Sequence, residues 1–128
     1  MDHKSELLLK KITINQKGDI LFLDPLKIVV IQNIGDAGIY IRYTYLQKDT
    51  DQSVLKSDLV RDSLKNMEAI LPKIFFRTSR NCLLNILFID KIQDCKVVLK
   101  VKEGIHLMSF PTTIVNKNRI VKMISLNK

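Results

Sequence analysis

The stretch Phe75–Asp90 reads FFRTSRNCLLNILFID. Two aromatic residues open it and an apolar run closes it. Between them stand Arg77, Thr78, Ser79, Arg80 and Asn81. A strand that stops at a polar, basic tip and then resumes predicts two antiparallel strands joined by a short turn. The tip is either a solvated loop or a surface that touches something acidic.

Working outward, the segment before it reads DSLKNMEAILP. Asp62 or Ser63 offers a side-chain oxygen to a first-turn N–H. Leu64, Met67 and Leu71 recur at helical spacing with Ile70 beside them, and Pro72 ends the run. A helix this short must dock on a sheet to persist. After the stretch, Lys96–Lys102 alternates: Val97, Leu99 and Val101 face one way and lysines the other. Glu103-Gly104 turns the chain and Ile105–Phe110 returns it. A last segment places Ile114, Val115, Val121 and Ile124 on one helical stripe, with Asn116, Lys117, Asn118, Arg119 and Lys122 off it.

Toward the N-terminus, Lys11–Asn15, Ile20–Leu23, Lys27–Gln32, Ile39–Leu46 and Ser53–Ser57 read as short strands. Gly18-Asp19, Gly35–Gly38 and the polar run Gln47–Gln52 supply the turns. Short turns in place of helical crossovers predict antiparallel pairing. The fold expected is mostly β: a small elongated stack of antiparallel sheets, one short helix after the middle strands, and a second at the C-terminus. No internal repeat is visible. With 128 residues the chain fits a single domain, 1–128, with residues 1–10 frayed or peripheral.

The net charge is +8. Residues 1–64 hold nine Lys/Arg against nine Asp/Glu, while residues 65–128 hold twelve against four. The whole excess therefore sits in the second half, beside the basic tip. A polyanion partner or a merely solvated lysine face both fit this asymmetry. Catalytic chemistry is poorly supplied. There is no phosphate-binding glycine loop, dinucleotide fingerprint or calcium loop. His3, Cys82, Cys95 and His106 are too scattered for zinc, and a Cys82–His106 dyad has no activating neighbour. No enzyme activity, metal or cofactor is expected. Both thiols read as reduced and structural, and the absence of a signal sequence or a long apolar run makes the cytosol the expected location. Phe75 and Phe76 read as core and not as membrane anchors.

The order of helix, proline stop, aromatic, arginine and asparagine turn is distinctive. Ser63-Leu64, Met67, Leu71-Pro72, Phe76, Arg77, Leu84-Asn85, Ile89 and Ile92 match a pattern in which the sequence resembles the LytTR family of bacterial DNA-binding domains. The resemblance spans roughly residues 10–125. It implies loops at one edge that enter successive major grooves, in a transcriptional regulator that binds paired direct repeats as a dimer. It also implies a separate sensor or receiver partner. Carried onto this sequence, the contact spots are Asn33–Gly38, Arg77–Asn81 and Ser109–Thr113. Arg77, Ser79, Arg80, Asn81, Thr112, Thr113 and Lys117 are the implied DNA-binding residues. Arg80 is suited to guanine, and Ser79 and Asn81 to phosphate or a base edge. Thr112, Thr113 and Lys117 are suited to phosphate. Arg77 has a second reading, as a structural partner of a carboxylate behind the tip. Ser79 stands where the family usually has histidine and Asn81 where it has serine. Gly38 and Phe110-Pro111 replace polar readers, which leaves open a protein-interaction module that has lost specific DNA reading.

Overall fold

A computed structural model describes residues 11–16, 18–47 and 52–126. The N-terminal segment 1–10, expected to be frayed, lies outside the described residues. Three antiparallel sheets are stacked. A hairpin of β1 (Ile12–Gln16) and β2 (Asp19–Leu23) forms the first. The middle sheet has five strands: β3 (Ile28–Asn33), β4 (Ile39–Gln47), β5 (Gln52–Val60), β6 (Phe75–Ser79) and β7 (Cys82–Asn85). Their spatial order is β5-β4-β3-β7-β6, so β3 is central. The third sheet joins β8 (Ile89–Gln93), β9 (Lys96–Glu103) and β10 (His106–Pro111), with β9 in the centre. Helix α1 (Leu64–Ile70) follows β5, and α2 (Ile114–Leu126) ends the fold.

The middle sheet has a core on each face. On one side Ile28, Ile31, Ile39, Ile41 and Leu83 meet Ile12, Ile14 and Leu23 of the hairpin and Leu64, Met67 and Leu71 of α1. On the other, Val29, Val30, Cys82 and Leu84 meet Val97 and Leu99 of β9, Met108 of β10 and Ile120 of α2. Strict alternation would put Val29 and Val30 on opposite faces. The register slips between Ile28 and Val30, and this bulge turns both valines toward the second core. The run Ile28–Ile31 is thus apolar throughout because its strand is covered on both sides.

Ser63 caps α1, its hydroxyl accepting from the Asn66 N–H at 3.1 Å. Asp62 instead accepts from the Ser63 N–H and the Asn66 side chain. The C-terminal helix forms, but on a different face from the one its apolar spacing predicts. Ile114, Val115 and Val121 are exposed, while Ile120 is fully buried and Asn116, Met123 and Ile124 are half-buried. The reason is polar: the Asn116 amide donates to the Thr78 carbonyl at 3.1 Å, which fixes that face against β6.

A repeat that the residues did not reveal is present in the backbone. Asp24 and Asn85 each precede a one-turn 3-10 helix (Pro25–Lys27 and Ile86–Phe88) that leads into a strand. Each side chain accepts from the N–H two residues on, and the flanking backbone angles agree within about a degree. The strand that follows carries a register slip at its second residue in both cases, between Ile28 and Val30 and between Ile89 and Lys91.

Candidate nucleic-acid interface

Strands β6 and β7 pair as far as Ser79 and Cys82, leaving Arg80 and Asn81 as a two-residue turn. A slip between Arg77 and Ser79 bends the strand just before it. Thr78 points inward and is 1% exposed, whereas Ser79, Arg80 and Asn81 are exposed. The buried Thr78 hydroxyl has no hydrogen-bond partner among the described residues and lies close enough to the Cys82 thiol to act on it. Burial pushes the Cys82 thiol up, so it stays protonated beneath the tip.

The two arginines have different surroundings. Arg77 donates from Nε to Glu68 of α1 at 3.0 Å and from Nη1 to the Arg80 carbonyl at 3.1 Å. It ties the turn to the helix. The Arg77–Glu68 pair is partly exposed, so its value is positional more than energetic. The Arg80 guanidinium projects from the turn with no hydrogen-bond or ion-pair partner among the described residues.

Hydrogen bonds place the other two spots beside this turn. The Asn33 N–H donates to the Asn81 carbonyl at 2.9 Å, which joins the β3–β4 loop to the tip. The Thr78–Asn116 bond joins the start of α2 to it. The Thr112 N–H donates to the Cys95 carbonyl at 2.8 Å, which adds the β8–β9 turn. Four chain reversals thus share one edge. Within it, several hydroxyls shape the backbone. Ser79 Oγ accepts from the Asn81 N–H at 3.2 Å, and Thr113 Oγ1 accepts from the Asn116 N–H at 3.1 Å as the cap of α2. Each keeps its proton for donation outward. Lys117 is exposed in the first turn of α2, its N–H bonded to the Thr113 carbonyl.

The third spot is less of a loop than expected. Ser109, Phe110 and Pro111 belong to β10, and only Thr112 and Thr113 are loop residues. In the first spot Asn33 Oδ1 accepts from the Gly35 N–H at 3.2 Å, starting a one-turn 3-10 helix, Gly35–Ala37. Gly38 has φ +122°, and a Cβ there would lie 2.2 Å from the Val60 carbonyl oxygen. No reading side chain fits at this position, whatever the loop contacts.

Two residues that complete the edge were missed as parts of a site. Asn116 was placed off the docking face of its helix, and nothing in helical spacing marks an amide that bonds a strand carbonyl. Cys95 is exposed, and it sits with Asp94 at positive φ in a two-residue hairpin turn.

A family model for the LytTr DNA-binding domain matches residues 20–109. No curated protein sequence matches the chain. Among solved structures, the chain is similar to the LytTr DNA-binding domain of a Bacillus cereus protein described as a methyl-accepting/DNA response regulator. The TM-score is 0.57 and the identity 17%, over 89% of this chain and 95% of that one. At that identity the likeness speaks for the fold. The family match covers most of the sequence and includes the helix, the proline stop and the basic turn, and so this chain belongs to the LytTr DNA-binding domain family.

Proposed function

We propose that this protein is a transcriptional regulator that binds specific double-stranded DNA through the loops of this edge, which enter the major groove. Arg80 is the principal reader. Its fork matches O6 and N7 of guanine, and Arg77 holds the carbonyl of the residue that carries it. Asn81 contacts a base edge or phosphate, and Ser79, Thr112, Thr113 and Lys117 hold phosphates and set register. The chain acts as one domain, 1–128, pairing with a second copy on direct repeats, under a sensor or receiver protein. It performs no catalysis. The observation that carries this reading is the guanidinium of Arg80, without a partner among the described residues, at the point where the reversals of the chain meet.

The test is selection of bound duplexes from a random pool, then affinity across a salt series. With about four to six phosphates neutralised, log K falls with log salt at a slope of roughly −4 to −5. Arg80→Ala costs about 1–3 kcal/mol on the selected site and relaxes preference at one base pair. Equal affinity for every sequence would remove the regulator and leave non-specific binding. A competing reading, a protein-interaction module, is favoured by Gly38 alone, where steric contact with Val60 forbids a base-reading side chain; absence of any duplex binding would decide for it.

A further inference from the structure

The outer sheet carries charge on the face turned away from the core. In β9, Val97 and Leu99 point inward and are fully buried, so Lys96, Lys100 and Lys102 point outward. Register adds Lys91 of β8, which pairs with Val98, itself paired with Ser109 of β10. All four lysines are exposed, and none has an ion-pair partner among the described residues. One carboxylate shares this face: the bulge sets Asp90 beside Lys91 opposite Val98, whereas the row of Gln93, Lys96 and Pro111 and the pair Lys102 and Leu107 hold none, so cations outnumber it four to one.

The stripe also has a direction. Lys96 follows Cys95, whose carbonyl holds Thr112 in the candidate interface. Lys102 is six residues farther along β9, about 20 Å at strand spacing. Like charges held along one face repel one another, and a polyanion laid on them relieves that repulsion and releases counterions.

We propose that this lysine stripe is a second contact surface for the same duplex. It takes up the phosphate backbone that flanks the sequence read at the edge, as the DNA bends against the outer sheet. The inference rests on the DNA-binding reading given above. Contacts of this kind read no bases; they offset the elastic cost of the bend and so favour deformable flanks. Continuity with the edge favours DNA over an anionic membrane surface. Among the described residues, the large exposed apolar side chains at the stripe are Leu107, opposite Lys102, and Ile105 in the adjoining turn, both at its far end, whereas surface insertion needs an apolar face.

The full chain is titrated with two duplexes carrying the same selected site, one ending at the site and one extended by about 15 base pairs on each side. Wild type is compared with Lys100→Gln/Lys102→Gln. For wild type, extension steepens the salt slope by about two, one for each of these lysines that meets a phosphate. The double variant loses that increment and keeps its affinity for the short duplex. No increment in wild type, or an equal increment in the double variant, makes the stripe an ordinary solvated face and overturns the proposal. Sedimentation with phosphatidylserine vesicles through the same lysines, without any effect of duplex length, overturns it in favour of a membrane. Wild type that does not bind the short duplex removes the DNA-binding reading itself, a result distinct from either.

Discussion

The segments Asp24–Asn33 and Asn85–Asp94 follow the same backbone path, yet one lies at the centre of the molecule and the other on its outside. Both begin with a side-chain cap, pass through one 3-10 turn, and enter a strand with a bulge at its second residue. Both put isoleucine at the first and fourth strand positions, Ile28 and Ile31 in one and Ile89 and Ile92 in the other. They part at the bulge. Val29 and Val30 are fully buried, while Asp90 and Lys91 are exposed. The cap and the bulge set the path of the chain, and the two residues turned outward by the bulge decide whether another layer can cover the strand. Two valines admit the outer sheet; an aspartate and a lysine end the stack.

The largest expected effect comes from carrying the outer segment's residue into the inner one. Val30→Lys places a charge in the apolar cluster of Val97, Leu99 and Leu84 and opposite Arg42, whose carboxylate partner Glu103 is already engaged. The cost exceeds about 4 kcal/mol, enough to unfold a small domain. Far-ultraviolet dichroism and a thermal melt check it. A folded variant with a near-native melt would show that the second core is less closed than its burial indicates.

The caps differ less, and more instructively. Asn85 is fully buried; besides capping Leu87 at 2.9 Å, it donates to the Ile28 carbonyl at 2.8 Å, joining the second segment to the first. Asp24 caps Leu26 at 3.0 Å in an exposed setting. Asn85→Ala leaves a buried carbonyl without its donor and costs about 2–4 kcal/mol. Asp24→Ala loses only a cap, about 1 kcal/mol. Urea titration measures both. Asn85→Asp is the sharper experiment, because aspartate serves at position 24 but has no N–H to give to Ile28. It should not rescue, and a stable Asn85→Asp would reduce Asn85 to a cap like its counterpart.

The two cysteines stand at either end of the outer segment and extend the contrast to reactivity. Cys82 is buried and its thiol is pushed up, so less thiolate is present at any pH below that raised value. Cys95 is exposed. A thiol reagent at neutral pH should label Cys95 in the native protein and Cys82 only after denaturation. Equal rates at neutral pH would mean that β7 opens readily beneath the tip.

Periodicity reports which side of an element is apolar, and that was enough for the strands, the first helix and the antiparallel sheets. Ile39 and Ile41 alternate into the core as read, and Leu64, Met67 and Leu71 form the docking face as read. It failed where a hydrogen bond outranked apolar spacing. At α2 the Asn116 amide selected the face, leaving Ile114 and Val115 outside. The repeat escaped notice because its two copies share caps and isoleucines but differ at the bulge, where burial differs. The basic turn was legible from its interruption of an apolar run, and so was the alternative role of Arg77 as partner to a carboxylate, now identified as Glu68. Sequence could not tell which of the two arginines meets a carboxylate, since that depends on Glu68, nine residues away in the chain, reaching the strand.

The smallest expected effect is the converse exchange. Lys91→Val gives the outer bulge the residue of the inner one at a position that faces solvent. Lys91 is exposed and has no ion-pair partner among the described residues. Valine suits a strand at least as well as lysine does. The change in stability should lie within about 0.5 kcal/mol, as for surface positions away from caps and cores. The midpoint of a urea titration reads it, together with the slope of the transition to exclude altered unfolding. A loss of about 2 kcal/mol would mean that Lys91 holds the outer bulge in place. In that event the two segments would share their path for different reasons, and the inner bulge would owe its form to the valines and not to the cap that precedes it.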